Sequence, residues 1–378
     1  MKIETSISSI RSQAGLEPGV TSAADVRGGE ERSDYGAHSG AQQVLRAVVS
    51  RLDSLNARLG DITVAANEVA RLQGAAISED TDGSPVSGQG FKARHAENRK
   101  TLLAVERVLD KAQASKVAGH VVRAELSKLS LLDGGDVPGG GALSRRFADE
   151  TVELLRGLPG GPRDVRGNAR SSGDFFEQLT GMIDDIKDDY LAVYEEMLSK
   201  YSAFYKDFNE SIMGKMGRYV DNDTASSNIW LRTKEMKEDI VALIDKYSSE
   251  PEGVYYRSSS RVEALKWAEA MGLPDSCVQS SKSGGFVVMI DLSVLKKMRD
   301  QLPEINNAPF WTSFANSAAF QAWQTGFNSL ESDLKNQLQL FTTKYSNANS
   351  YHENFNKIFS SQLVQFAEML KQMTSSFA

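Results

Sequence analysis

The last sixty residues constrain the fold of this chain most strongly, because large apolar residues recur there at coiled-coil spacing. From Phe320 onward the steps between them are mostly three and four residues, which marks the seam of a helix packed against a partner helix. Neither proline nor glycine interrupts the chain from Asn328 to Ala378. Residues 331 to 378 therefore predict one helix of roughly 70 Å, at about 1.5 Å per residue. Such a helix is typical of a rod, a tether or part of an assembly. The seam comprises Phe320, Trp323, Phe327, Leu330, Leu334, Leu338, Phe341, Tyr345, Ala348, Tyr351, Phe355, Ile358, Phe366 and Met373.

A second long seam predicts the partner of this C-terminal helix. It runs through residues 174–219, and its equal steps from Val193 to Met197 to Tyr201 indicate a local stutter. Because both apolar faces need partners, we predict that the two helices pack on each other as an antiparallel coiled coil. The seam comprises Leu179, Ile183, Ile186, Tyr190, Val193, Met197, Tyr201, Phe204, Phe208 and Ile212.

The residues between the two seams, 220–315, predict a small α/β domain inserted at the far end of the coiled coil. The expected helices are 234–247, 260–271 and 292–302, and the expected strands are 254–256 and 286–290.

The N-terminal part predicts a disordered segment followed by a helical hairpin. Residues 1–38 are rich in Ser, Gly, Glu and Asp and poor in large apolar residues, which favours disorder. Apolar steps of three and four then mark helices at about 40–73 and 92–132, joined by turn-rich residues. The fold class is therefore mainly α, with a long antiparallel coiled coil, an N-terminal helical hairpin and a small α/β insertion domain. The predicted segments are 1–38 (disordered), 39–133 (hairpin), 134–173 (linker with a short helix at about 142–157), 174–219 (first coiled-coil helix), 220–315 (α/β domain) and 316–378 (second coiled-coil helix).

Composition excludes several classes of protein. Asp+Glu (50) outnumber Lys+Arg (43), whereas a nucleic-acid binder needs a basic face. The only cysteine, Cys277, allows neither an intramolecular disulfide nor a cysteine-based metal cluster. No stretch approaches the roughly 20 apolar residues of a membrane span. Residues 1–11 lack the apolar core and cleavage site of a secretory signal peptide, so export would need another route.

The sequence offers no catalytic or cofactor signature. The four histidines are scattered, and none has a second ligand three or four residues away, which argues against a metal site. The glycine runs at 134–141 and 160–167 lack the Gly-Lys-Ser/Thr ending of a phosphate loop and are expected to be linkers. We therefore expect neither an enzyme nor a cofactor-binding protein. The histidines are His38, His95, His120 and His352.

Several stretches together resemble the needle-tip proteins of type III secretion systems, the IpaD/SipD/BipD family. They are YLAVYEEMLSKYSAFYKDFNESIMGKMG (190–217), WAEAMGLPDSCVQSSKSGGFVVMIDLSVLKKMRDQLP (267–303), FQAWQTGF (320–327) and KYSNANS (344–350). The most specific positions are Trp267, Leu273, Pro274, Ser276 and Cys277. The resemblance covers about 174–360. The C-terminal tail departs from the family, because only Lys357, Ser360 and Ser361 align with its Ser/Leu/Thr-rich ending.

The resemblance implies a secreted protein at the bacterial cell surface, exported unfolded and placed on the distal end of the needle. Such proteins form a small homo-oligomeric ring, thought to be pentameric, on the needle subunit. They hold the channel shut until host contact and scaffold the hydrophobic translocator proteins during invasion. Their N-terminal hairpin acts as an intramolecular chaperone, and several respond to bile salts such as deoxycholate. The alternative is a secreted effector or adaptor whose coiled coil binds a host protein.

Two groups of residues are candidates for contacts with the needle or with neighbouring protomers. Polar residues at the seam from 344 to 350 either fix the register of the helices or bind a partner, and the last helical turns carry more apolar residues than one seam needs. The candidates on this helix are Lys344, Tyr345, Asn347, Asn349, Ser350, Leu363, Phe366, Met369, Leu370 and Met373. An acidic cluster is either a solvated helix face or a contact for a basic subunit. It comprises Asp184, Asp185, Asp188 and Asp189.

Overall fold

A computed structural model describes residues 31–79, 88–130, 181, 190–222, 229–306, 312–314 and 317–376. In chain order the helices are α1 (Glu31–Glu79), α2 (Gly88–Ser130), α3 (Ala192–Ser211), α4 (Met216–Tyr219), α5 (Thr233–Tyr247), α6 (Arg261–Met271), α7 (Ser293–Asp300) and α8 (Ser317–Ser376). The strands are β1 (Val220–Asn222), β2 (Ile229–Leu231), β3 (Val254–Ser258), β4 (Val278–Ser280), β5 (Phe286–Met289) and β6 (Thr312–Phe314).

The long helices α1, α2, α3 and α8 form the frame of the molecule and pack along one another. The pairs α1–α2, α2–α3, α3–α8 and α8–α1 are each antiparallel, so the four helices alternate in direction around a shared core. The predicted fold class, a mainly α coiled coil with a hairpin and an α/β insertion, is confirmed.

The hairpin helices bury the seams that the sequence predicts. The seam of α1 is buried from Leu45 to Val69, and α2 continues through Gly119 without a break. The helix begins at Glu31, eight positions before the end of the segment that the sequence predicts to be disordered. The short helix predicted at 142–157 and the linker at 159–173 lie outside the described residues.

The predicted pairing of the two distant seams is confirmed by contacts between α3 and α8. The Tyr201 hydroxyl donates a 2.9 Å hydrogen bond to the carbonyl oxygen of Leu334, and its ring meets Phe341 edge-on at 5.0 Å. The first coiled-coil helix does not run unbroken to residue 219, because α3 ends at Ser211 and a tight turn leads into α4. At this turn the backbone passes close to α2. A Cβ added at Gly214 would lie 3.3 Å from His95 Nε2.

The inserted domain contains two small antiparallel sheets, with strand orders β1-β2-β6 and β3-β5-β4. Its predicted helices correspond to α5, α6 and α7, and its two predicted strands to β3 and β5. The other four strands were not predicted, and each of them has only three residues.

Aromatic and charged contacts join the inserted domain firmly to the coiled coil. Phe341 lies edge-on to Tyr201 of α3 and to Tyr255 of β3, with ring centres 5.0 and 5.7 Å apart. Asp207 of α3 accepts hydrogen bonds from Lys246 at 2.5 Å and from the Tyr247 hydroxyl at 2.8 Å. The domain is therefore fixed on the rod rather than tethered to it. Among the described residues, no helix combines the length and hydrophobicity needed to cross a membrane.

Candidate assembly face on the C-terminal helix

The C-terminal half of α8 carries most of the predicted contact residues, and α1 covers much of it. The Asn349 side-chain amide donates a 2.8 Å hydrogen bond to the carbonyl oxygen of Leu59. Ser360 Oγ lies 3.4 Å from the carboxylate of Asp53. These two contacts set an antiparallel register in which α1 lies along the face of α8 from about residue 345 to residue 366.

This covered face differs from the seam that the apolar spacing predicts. Tyr351 is 40% exposed, although its spacing places it in the seam, and Ile358 is only partly buried. The helix buries a second stripe instead, because it packs against α1 as well as α3. This stripe was missed because asparagine and histidine suggest positions that face solvent. The buried residues of α8 in this region include Tyr345, Asn349, His352, Asn356, Phe359, Ser360, Leu363 and Phe366.

Nearer its start, α8 is joined to α2 by a buried charged network. Glu331 is 1% exposed, and its carboxylate accepts hydrogen bonds from Arg94 at 2.8 Å and Asn98 at 2.7 Å. One turn further along, Lys335 pairs with Glu97. The charges on Glu331 and Lys335 are therefore compensated where they leave water, as buried ions require. Apolar spacing gives no sign of such a network.

The candidate side chains between residues 344 and 350 lie in three different environments. Lys344 donates a 2.8 Å hydrogen bond to the carbonyl oxygen of Ala270 in the inserted domain, and partial burial lowers the pKa of its ammonium group. Tyr345 is in the core, where burial raises the pKa of its phenol. Asn347 is exposed, and Ser350 is half-buried with its hydroxyl bonded to a carbonyl of its own helix. Only Asn347 is freely accessible among these candidates.

The remaining candidates are either buried or outside the described residues. Leu363 and Phe366 are buried, with 1% and 5% of their surfaces exposed. The side chains of Met369, Leu370 and Met373 lie outside the part of the molecule that the structure describes. The acidic cluster at 184–189 also lies outside it. The structure therefore brings Tyr345, Asn349, Leu363 and Phe366 together on the covered face.

A cleft of about 660 Å³ opens where the hairpin, the coiled coil and the inserted domain meet. Leu109 and Val193 contribute apolar surface, and residues 254–257 of β3 form one side of the cleft. Both lysines of the cleft are already engaged, since Lys116 lies 2.7 Å from Glu195 and Lys200 donates to the carbonyl oxygen of Pro251. The cleft can hold a small amphipathic molecule, because its volume lies within the usual range for ligand sites.

The described part of the chain offers neither a metal site nor an activated thiol. Among those residues, no group of three or more His, Cys, Asp or Glu side chains is placed to hold a metal ion. Burial raises the pKa of the Cys277 thiol to about 12, with a smaller contribution from the negative charge of Asp291. A thiol that stays protonated at neutral pH is a poor nucleophile.

Comparison with known families identifies the chain. A family model described as "Type III secretion systems tip complex components" matches residues 157–373, which include α3, the inserted domain and nearly all of α8. The chain belongs to this family. The family is a structural component of the secretion system and not an enzyme family, which confirms the expectation that the chain is not an enzyme.

Individual relatives of this tip complex component agree with that assignment. The chain is 34% identical over 210 residues to the cell invasion protein SipD of Salmonella typhi and 30% identical over 193 residues to the invasin IpaD of Shigella dysenteriae. These alignments cover 53% and 51% of this chain, but only 61% and 57% of the two relatives. The translocator protein BipD of Burkholderia mallei is 25% identical over 285 residues, 74% of this chain and 84% of BipD.

A solved structure supports the fold of the tip complex component. The pathogenicity island 1 effector protein of Chromobacterium violaceum superposes with a TM-score of 0.60 at 24% identity. The match covers 87% of this chain and 98% of the other.

Proposed function

We propose that this tip complex component is a needle-tip protein, secreted through its own apparatus and located at the distal end of the needle on the bacterial surface. It forms a homo-oligomeric ring, a pentamer, on the needle subunit. The ring gates secretion and scaffolds the hydrophobic translocator proteins at host contact. Family membership supports this role. The paired helices α3 and α8 supply a stiff spacer with the inserted domain fixed on it.

The observation that carries the proposal is the covered face of α8. Tyr345, Asn349, Leu363 and Phe366 lie beneath a helix that belongs to the N-terminal hairpin of the same chain. Covering such a face keeps it from binding other copies before export. Once the hairpin is displaced, the same face is available to the needle subunit or to a neighbouring protomer.

The decisive experiment measures binding of the purified chain to its cognate needle subunit. Full-length protein is compared with a chain ending at Gln362 and with the double variant Leu370→Asp, Met373→Asp. We expect both changes to abolish binding. Val364→Asp is the control, because it places one such charge on a side chain that is 46% exposed on the same helix. Binding that survives both changes would move the contact to α3 or to the inserted domain.

The alternative, an effector or adaptor that binds a host protein, predicts no needle binding by any of these forms. A second experiment tests the hairpin itself. Deleting residues 1–132 is expected to promote oligomerisation, because it uncovers α8. A truncated protein that stays monomeric at all concentrations would rule out the self-chaperone role.

A bile salt such as deoxycholate is the regulatory ligand that we propose for the cleft. Its rigid apolar face suits the apolar surface near Leu109 and Val193, while its polar face and carboxylate remain near solvent. Ser199→Trp, at the exposed rim of the cleft, should abolish deoxycholate binding measured by calorimetry. Ser283→Trp, on the exposed loop before β5, should leave binding unchanged. Equal binding by both variants would contradict this site.

A further inference from the structure

Polar side chains recur every seven residues on both helices where α1 meets α8. Asn349 and Asn356 of α8 are each 0% exposed. Asn56 and Thr63 of α1 carry buried side-chain oxygens. These four residues form what we call the release seam. Heptad spacing on both sides indicates a repeated feature of the contact rather than one isolated polar residue.

The register of the two helices brings these residues to the same levels. The contacts of Asn349 with Leu59 and of Ser360 with Asp53 bracket the region. Asn56 lies midway between Asp53 and Leu59 on α1, and Asn356 lies between the two corresponding positions of α8. A Cβ added at Gly60, one turn from Asn56, would lie 4.0 Å from the Glu353 carboxylate, so the same flank of α1 faces α8.

Most polar atoms of the release seam have no hydrogen-bond partner within the described residues. They are the Oδ1 atoms of Asn56 and Asn349, the Oγ1 of Thr63, and both the Nδ2 and the Oδ1 of Asn356. A buried polar group that loses water without gaining a partner destabilises the folded state. A polar residue in a coiled-coil seam fixes the register at a cost in stability. The contact between α1 and α8 is therefore less stable than an apolar seam of the same length would be.

The other helix of the hairpin, α2, contacts α8 through charged groups that are paired. Where α2 meets α8, the buried carboxylate of Glu331 is satisfied by Arg94 and Asn98, and Lys335 is paired with Glu97. Removing either partner there would leave a buried charge without compensation. Among the described residues, the two hairpin helices therefore differ in how their buried polar groups meet α8: those of α2 are paired, and most of those of α1 are not.

We propose that the release seam makes α1 the first element to leave the folded protein, while α2 stays attached through Arg94 and Glu331. The proposal rests on the proposed function, in which the hairpin covers an assembly face until it is needed. It adds that the two hairpin helices separate from α8 in a fixed order. It attributes that order to the four polar residues of the release seam. Opening at α1 uncovers Asn349, Leu363 and Phe366 without unfolding the coiled coil.

Hydrogen exchange on the full-length protein, followed by mass spectrometry, tests this order. In the unmodified protein, amides of α1 from 45 to 66 should exchange faster than those of α2 from 94 to 105. Asn356→Leu replaces an unsatisfied amide with an apolar side chain. It should slow exchange of α1 by about tenfold or more and leave α2 unchanged.

Asn354→Leu is the matched control, because it makes the same substitution on the exposed side of α8 two residues away. It should leave exchange of α1 unchanged. If Asn356→Leu loses helical content, Asn356→Val carries the same prediction with a smaller side chain. The proposal is overturned if α2 exchanges before α1, or if a folded Asn356 variant leaves the α1 rates unchanged.

This measurement needs no needle subunit and no second copy, so it separates the two proposals. Slower α1 exchange together with no needle binding would support the release seam and contradict the needle-tip role. Unchanged α1 exchange together with needle binding would contradict the release seam and support the needle-tip role.

Discussion

The guanidinium of Arg94 in α2 lies 2.8 Å from the carboxylate of Glu331 in α8, and only 2% of the Glu331 side chain is exposed. These residues are 237 positions apart in the sequence. Their contact joins the N-terminal hairpin to the coiled coil at a level where α3 also packs. It is the contact that we expect to keep the hairpin attached when α1 opens.

Replacing Arg94 with methionine should lower the free energy of unfolding by about 3 kcal/mol, because it leaves the Glu331 carboxylate buried without its ion partner. Urea denaturation followed by circular dichroism measures the change. Arg71→Met is the control, since Arg71 pairs with Glu68 at 2.9 Å but is 77% exposed. An exposed pair of this kind should contribute little to stability, because water screens its charges. Equal losses in the two variants would show that burial does not strengthen the Arg94 contact.

Two tyrosines of α3 offer a matched test of buried hydroxyl groups. The Tyr201 hydroxyl donates to the carbonyl oxygen of Leu334, whereas the buried Tyr205 hydroxyl has no hydrogen-bond partner among the described residues. Tyr201→Phe should therefore cost about 1 kcal/mol of stability. Tyr205→Phe should be neutral or stabilising, because it removes a desolvated group that gains nothing in the fold. Thermal unfolding of both variants gives the comparison, and a larger loss at Tyr205 would contradict the assigned contacts.

Much of the fold follows from sequence periodicity. Apolar steps of three and four predicted α1, α2 and α8, and the unmatched faces of two distant seams predicted the pairing of α3 with α8. Three-residue strands such as Val220–Asn222 and Thr312–Phe314 are too short to show an alternating pattern, so they were missed. α3 ends at Ser211, close to where Gly214 lies against His95 of α2, and a tertiary contact of this kind leaves no local pattern in the sequence.

The candidate site was only partly predictable for a related reason. Tyr345, Leu363 and Phe366 belong to apolar patterns, and the structure buries them. Asn356 and His352 are buried equally well, but polar residues in a helix are expected to face solvent unless the partner helix is known. Their surroundings depend on α1, which lies about three hundred positions earlier in the chain. No local pattern carries that information.

The C-terminal end of α6 depends on a glycine in the left-handed region. Gly272 has a φ of 79°, and its amide bonds to carbonyl oxygens of the last turn. Gly272→Ala should destabilise the protein by about 1 kcal/mol, because a side chain disfavours this conformation. Gly326→Ala is a control for which we expect a change in stability of the opposite sign. Gly326 lies inside α8 with its nearest neighbour 3.9 Å from an added Cβ, so alanine should stabilise by up to about 1 kcal/mol. Melting temperatures that shift in the same direction for both variants would contradict this assignment.

Buried acids make the fold sensitive to alkaline pH. Burial raises the pKa of Cys277 to about 12 from its ordinary value of 9.0, and it raises the phenol pKa of Tyr201 and Tyr255 as well. In the unfolded chain these groups lose their protons first, so the folded state binds more protons once the pH exceeds the ordinary values. The stabilisation is fully present below about pH 9 and is lost as the pH rises toward 12. Urea denaturation between pH 8 and pH 10.5 should therefore give a falling free energy of unfolding. Cys277→Ala should make that fall shallower by at most about 1.4 kcal/mol per pH unit, the contribution of one proton. An identical slope in the variant would show that the thiol ionises as freely in the folded protein as in the unfolded chain.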